Sequence, residues 1–422
     1  VQNGLWRRAK AAPSLDLRFA ENKSLVDATT GQNLVTFTRA SSGTFVDSDG
    51  LIKTATTDAP RFDHNPTTGE SLGLLVEESR TNLLVQSEDF STTWTTTRAS
   101  VSTNEIAAPN GTTTADKLVE DNTATNTHFV QQAPNFVSGT THTYSVYAKA
   151  AERTQIRIQG ANQTTWPGDA RFDLSNGTIA ATIAGTASIQ AVGNGWYRCS
   201  ITATAGQSAA TNIVHYLVSA TAISYTGDGT SGIYLWGAQL EAGAFPTSYI
   251  PTTTATVTRS ADVASISGSN FSAWYRQDEG TLFAEATSNH LHGGINQFPR
   301  IVSLSDGTTA TRIDLFYRVL LNYTDAGYSV IDSNVSQASS NTNRQSNGTR
   351  LSVGYQIDNF AFAQAGSILG GATDNSGTVP VVNQLSIGRR SGADFLLTGT
   401  IKRLTYWPTR LPDSTLQAIT QQ

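Results

Sequence analysis

Apolar and polar residues alternate with a period of two in short runs along most of the chain, and turn-forming clusters separate the runs. HTYSVYAKA (142–150), QIRIQG (155–160), WYRCSITATA (196–205), NIVHYLVSA (212–220) and GIYLWGAQLEAG (232–243) are the clearest. Such alternation puts apolar side chains on one face of a half-buried strand. SNGT, GNG and TGDGTSG stand between runs and supply the Gly and Asn that tight turns use. The pattern predicts an all-β protein of the sandwich class, not βαβ units. Helical spacing is confined to LWRRAKAA near the start and DSTLQAITQQ at the end, the latter with Asp413 placed as an N-cap.

The alternation also assigns faces. In WYRCSITATA, Tyr197, Cys199, Ile201 and Ala203 form the inward set, and Trp196, Arg198 and Ser200 the outward one. Ile156 and Ile158 face in, opposite Gln155, Arg157 and Gln159; Val146 and Ala148 face in, opposite Tyr147 and Lys149. If these strands share a sheet, Tyr147, Lys149, Arg157, Trp196 and Arg198 make one platform, on which rings with apolar faces stack while charged groups bond hydroxyls. Trp166, in the turn QTTWPGD, is a further candidate for sugar contact. A structural reading stands beside each: Trp196 as cover for a sheet edge or protomer contact, Trp166 as a packed lid. IKRLTYWPTRLP (401–412) is mixed on both faces, as expected of a strand packed by another domain or protomer, with Trp407 structural.

Length suggests two or three domains. Pro60 and Pro66 mark an early break, and FPTSYIPTTTATVTR (245–259), with two prolines and a Thr run, marks a second. The expected division is a connecting segment over 1–80, a sandwich over 81–250 and a second sandwich over 251–422. Charged residues are 14% of the chain and the net charge is -5, which leaves no basic stripe for a phosphate backbone. Nucleic acid is therefore not an expected partner. No apolar run approaches the roughly 20 residues that span a bilayer, and VQNGLWRRAKAAP lacks a signal-peptide core, so the chain reads as soluble and not exported by that route. Cys199 is the only cysteine, which excludes an internal disulfide and a multi-cysteine zinc site. With no methionine, Val1 is not an initiator, and the chain is processed or part of something longer. The glycosylation-type triplets Asn176-Gly177-Thr178 and Asn347-Gly348-Thr349 are chance matches in a chain this rich in Asn, Ser and Thr.

A search for catalytic groups finds little. Glu77 and Glu78 are adjacent, so a strand turns them to opposite faces, whereas glycoside hydrolysis needs two carboxyl groups roughly 5 to 9.5 Å apart across one bond. With Arg80 they are expected to make polar contacts that fix a junction. No Gly-x-Ser-x-Gly elbow is present. His290 and His292 have the spacing of two metal ligands on one strand face, but an ordinary loop or exposed strand pair is the preferred reading.

Three long segments in order carry a resemblance: FTRASSGTFVDSDGLIKTATTDAPRFDHNPTTGESLGLLVEESRTNLL, LWGAQLEAGAFPTSYIPTTTATVTRSADV and GTIKRLTYWPTRLPDSTLQAIT. They are similar to signature segments of bacteriophage and prophage structural proteins of the tail-fibre, tail or head-fibre type. The resemblance implies a carbohydrate-binding-module-like jelly roll between the first two segments and a concanavalin- or laminin-G-like sandwich before the third. The hydrolases of that second class carry a Glu-x-Asp-x-x-Glu strand, which Glu279 and Glu285 in EGTLFAEATS do not match. The expectation is a protein that is not an enzyme and needs no cofactor, although such sandwiches can carry a structural calcium, for which Glu88, Asp89 and Glu241 are the candidates. The resemblance further implies a homotrimeric virion subunit, assembled in the host cytoplasm, that touches other virion proteins and presents glycan-binding surfaces to the host cell. A purely structural virion adaptor and a polysaccharide-degrading tailspike remain the alternatives.

Overall fold

The computed structural model describes residues 4–289, 297–319, 324–341, 349–368, 376–391 and 395–421. His290, His292, Asn347 and Gly348 lie outside them. The fold is all-β, as the alternation predicts, and consists of two sandwiches.

One sandwich is made by the middle of the chain. Its first sheet runs, in spatial order, Thr186–Ala191, Trp196–Thr204, Thr141–Ala150, Gly232–Ala242, Thr113–Glu120 and Ala99–Ala107. The facing sheet runs Thr178–Ala184, Asp169–Asp173, Gln155–Gly160, Ile213–Val218, Phe129–Gln132 and Thr95–Thr97. Between them lie Val146, Ala148, Ile156, Ile158, Cys199 and Ile201, the inward sets of the alternating runs. Their burial supplies the hydrophobic stabilisation, about 1.5–3 kcal/mol for each large aliphatic side chain.

The other sandwich is built from both ends of the chain, which corrects the expected division. Residues 1–80 are not a free connector. Leu15–Leu17 and Ser71–Val76 both pair with the strand Gly399–Trp407, and Thr36–Thr38 pairs with Val263–Ser267. The cause is an otherwise open strand edge: the other edge of Gly399–Trp407 is taken by Glu279–Ser288. Leu15, Leu17, Leu74 and Val76 then enter the same core as Leu282, Ile301, Leu351 and Leu404.

The middle sandwich is thus an insertion, and its entry and exit run side by side. Arg80–Asn82 pairs antiparallel with Val257–Arg259, with Arg80 opposite Arg259. The proline- and threonine-rich segment is this exit. At the stem the backbones of Glu77 and Asp262 are tied: Asp262 N–H donates to the Glu77 carbonyl at 2.9 Å, and Glu77 N–H donates to the Asp262 carboxylate at 2.9 Å.

The mixed strand Gly399–Trp407 needs no other protomer to cover it. Arg403 pairs with buried Asp16 at 2.7 Å, and Trp407 packs under the helix Asp413–Thr420, its indole N–H donating to the Ala11 carbonyl at 3.1 Å. Asp413 opens that helix but is not its N-cap; Pro412 is, and the Asp413 carboxylate accepts from Arg410 instead. Near the start, Gly4–Ala9 is helical.

Candidate functional site

Three neighbouring strands of the inserted sandwich place alternating polar residues on one outward face. On the edge strand these are Thr186, Ser188 and Gln190, paired respectively with Thr202, Ser200 and Arg198. Those three in turn pair with Thr143, Ser145 and Tyr147. Cross-strand partners lie close enough to bond one another. Ser188 and Ser200 share a hydrogen bond of 2.6 Å, Thr143 and Thr202 one of 2.7 Å, and Arg198 donates to Ser145 Oγ at 2.9 Å. Arg198 also donates to the Thr247 carbonyl at 2.8 Å, and its guanidinium lies 5.4 Å from the centre of the Tyr147 ring. The result is a braced lattice of hydroxyl, amide and guanidinium groups, exposed on the edge strand and buried towards Thr143 and Ser145.

All of this lattice except Thr143 and Ser145, which are buried beneath it, lines a cleft of about 590 Å³. The lining also includes Thr44, Phe45 and Val46 of the hairpin formed by Gly43–Val46 and Ile52–Ala55, Pro66, Phe245–Tyr249, and Thr287–Asn289 and Thr400 of the chain-end sandwich. Phe45, Leu72 and Val192 give the lining apolar surface beside its hydroxyls. A mostly preformed concave site with a few placed polar groups is the ordinary form of a small-ligand site.

Asp63 and His64 also line the cleft. Asp63 accepts the Val46 N–H at 2.7 Å, yet burial pushes its carboxyl up to about 6. His64 Nδ1 sits 3.0 Å from the Val46 carbonyl, and its buried Nε2 meets no hydrogen-bonding group of the protein. Glu77, deeper in the wall, is fully committed: it accepts from Arg61 at 2.7 Å and from Ser248 N–H and Oγ at 2.7 and 2.6 Å. Glu77 and Glu78 lie between the strands Ser71–Val76 and Arg80–Asn82 and not within one, and Glu78 pairs with Arg80. The two adjacent acids therefore serve the stem, in the structural role expected of them.

Of the proposed platform residues, Tyr147 and Arg198 line the cleft, and the others do not. Lys149 is opposite Trp196 on the same face, and its ammonium bonds the Asn194 carbonyl at 2.8 Å. Trp196 is 2% exposed, with its indole N–H on the Ala107 carbonyl, so no ring can stack on it. Arg157 belongs to the facing sheet, where it grips Asp169 at 2.8 and 2.6 Å. Trp166 is wholly buried in the core, stacked on Phe136 with its N–H on the Ala203 carbonyl. Gly160 and Gly168 make room for it: a Cβ on Gly168 would lie 2.4 Å from the indole. The alternation missed Thr186–Ala191, although TASIQA carries the same signal, polar Thr, Ser and Gln alternating with Ala and Ile.

The calcium candidates are occupied otherwise. Glu241 accepts from Gln239 and Thr247, Glu88 from the Tyr249 hydroxyl and Asp89 from Ser91. Among the described residues no group of three or more His, Cys, Asp and Glu side chains could hold a metal ion. Glu279 and Glu285 pair with Arg276 and Arg350 at 2.8 and 3.1 Å.

No protein-family model matches the chain, and no curated protein sequence does. Partial structural likenesses exist. The CBM40 of Ruminococcus gnavus IT-sialidase, bound to α2,3 sialyllactose, is 14% identical, with a TM-score of 0.29 over 35% of this chain and 84% of that one. Trypanosoma rangeli sialidase in complex with sialic acid is 10% identical, with a TM-score of 0.28 over 72% of this chain and 60% of that one. The CBM22-1–CBM22-2 tandem of Paenibacillus barcinonensis Xyn10C is 8% identical, with a TM-score of 0.24 over 79% and 97%. Likeness at this level identifies no ligand or reaction. One correction follows: with sialidases among the matches, the expectation that the chain is not an enzyme does not stand.

Proposed function

We propose that this chain is a subunit of a phage virion fibre or spike that holds a host-surface glycan in the cleft between its two sandwiches. The observation that carries the reading is the set Thr186, Ser188, Gln190, Thr202, Ser200, Arg198 and Tyr147 lining that cleft, braced from beneath by buried Thr143 and Ser145. Sugars offer hydroxyls on their rims and C–H groups on their faces, and the lining offers hydroxyl, amide and guanidinium partners beside Phe45 and Val192. The virion assignment rests on the three ordered segments that resemble phage structural proteins. A homotrimer on the particle surface, assembled in the host cytoplasm and seated on other virion proteins, fits this use, because weak sugar sites gain from effective concentration when several are held together.

A glycan array and a host-cell binding assay on the purified oligomer test the reading. Saturable binding to a host polysaccharide supports it, and no binding to any host glycan makes the chain an adaptor instead. Incubation with the bound polysaccharide extends the test: reducing ends accumulating with time would make the cleft a cleavage site.

A further inference from the structure

The stem that joins the two sandwiches buries three guanidinium groups, Arg39, Arg61 and Arg259. Two carboxylates contact them. Asp262 pairs with Arg39 and Arg61, and Glu77 pairs with Arg61 and stands 3.4 Å from Arg259. Asp63 feels Arg61 only through space and spends its hydrogen bond on the Val46 N–H. Of the three guanidiniums, Arg259 alone makes no hydrogen bond to a carboxylate, its contact with Glu77 being an ion pair at 3.4 Å. It is 1% exposed, and none of its Nε, Nη1 and Nη2 meets a hydrogen-bond acceptor of the protein. A buried guanidinium without acceptors is costly, and proteins satisfy such groups with a counter-ion or ordered water.

A cavity of about 50 Å³ lies against this side chain. Ser41, Ser42, Thr44, Thr54 and Thr258 are in its wall with Arg259, and the lining has no carboxylate. Its only charge is the cation. Its size admits one or two water-sized particles, a water's share of the liquid being about 30 Å³. We propose that this cavity is a binding site for a single small inorganic anion of the halide class, held by Arg259 and neighbouring hydroxyl and backbone N–H donors. The ion would give the Arg259 guanidinium the hydrogen-bond acceptor it lacks and tie Val257–Arg259, the exit of the inserted sandwich, to the strand Gly43–Val46.

Bromide is the probe. Crystals of the full chain grown in bromide should show an anomalous peak in the cavity, within about 3.5 Å of the Arg259 guanidinium, as charge-assisted contacts require. A refined water there, without anomalous signal, overturns the proposal. Solution supplies an independent test. At constant ionic strength, replacing gluconate, too large for the cavity, with chloride should raise Tm by roughly 3 °C or more, as a ligand that binds only the folded state does. Arg259→Gln should lose the chloride dependence. Equal Tm in the two salts for the unmodified chain overturns the proposal, and needs no variant to fold.

Discussion

Replacing Glu77 by Gln changes one charge and almost no volume at the stem. Glu77 is 2% exposed and accepts from Arg61 and from two groups of Ser248, with Arg259 at 3.4 Å. Burial alone would raise its carboxyl, but Arg259, Arg61 and the Ser248 bonds outweigh burial and hold it at about 2. A fall from 4.5 to about 2 corresponds to about 3 kcal/mol of stability at neutral pH. Breaking a buried ion pair by neutralising one partner costs a similar amount, about 3–5 kcal/mol. The sign in pH follows from the direction of the shift. Because the folded value is the lower one, the contribution is complete above the ordinary value of 4.5 and disappears as pH falls through about 2. Urea unfolding of Glu77→Gln, followed by far-ultraviolet circular dichroism, should therefore show a loss of about 3 kcal/mol at pH 7 that shrinks steadily below pH 4.5. A loss under about 1 kcal/mol at pH 7, or a gap that does not close in acid, would refute the view that this acid anchors the stem.

Asp63 should act in the opposite sense: its folded value, about 6, lies above the ordinary 3.8, so its contribution is complete below 3.8 and lost as pH rises through 6. Asp63→Asn should abolish a stability decline of about 3 kcal/mol across that window, and equal slopes for the two proteins in a pH series of thermal melts would contradict this. Trp166→Ala should cost about 3–5 kcal/mol in urea unfolding because it empties a core site; lost glycan binding at unchanged stability would instead make Trp166 a sugar contact. Gly73 has φ +93 and lies so close to Ile401 that a Cβ would meet its carbonyl oxygen at 2.2 Å. Gly73→Ala should then strain the pairing of Ser71–Val76 with Gly399–Trp407 by 1–3 kcal/mol, roughly, and a Tm equal to that of the unmodified chain would show that the strand tolerates a side chain there.

The inserted sandwich was legible because each of its strands carries its own alternation. Val146, Ile156, Ile158, Cys199 and Ile201 sit in the core where a period of two puts them. Its status as an insertion was not legible. Pairing Leu15 with Tyr406 joins positions almost a whole chain apart, and nothing local in either run names its partner. Platform residues were mixed for the same reason: alternation gives the face of a strand but not its sheet, so Arg157 was grouped with residues on the facing sheet. Trp166 stood between sugar contact and packed lid because Trp-Pro in a turn lacks periodicity, and its burial depends on two glycines, Gly160 and Gly168, whose role appears only when the chain folds over the ring. Glu77 and Glu78 were legible in part. Strand geometry excluded a catalytic pair, but the buried partners of Glu77 come from both sides of the inserted sandwich, Arg61 before it and Arg259 after it.

The central claim is that the cleft between the sandwiches holds the glycan, and blocking the cleft tests it most directly. Ser188 lies exposed on the edge strand of the lattice, so Ser188→Trp fills the opening without entering the core. Isothermal titration of the strongest array glycan against this variant and the unmodified chain, both shown to unfold at the same urea midpoint, should give an affinity at least about tenfold weaker for the variant, or about 1.4 kcal/mol. Equal affinity in the two would place the glycan elsewhere on the molecule and contradict the account.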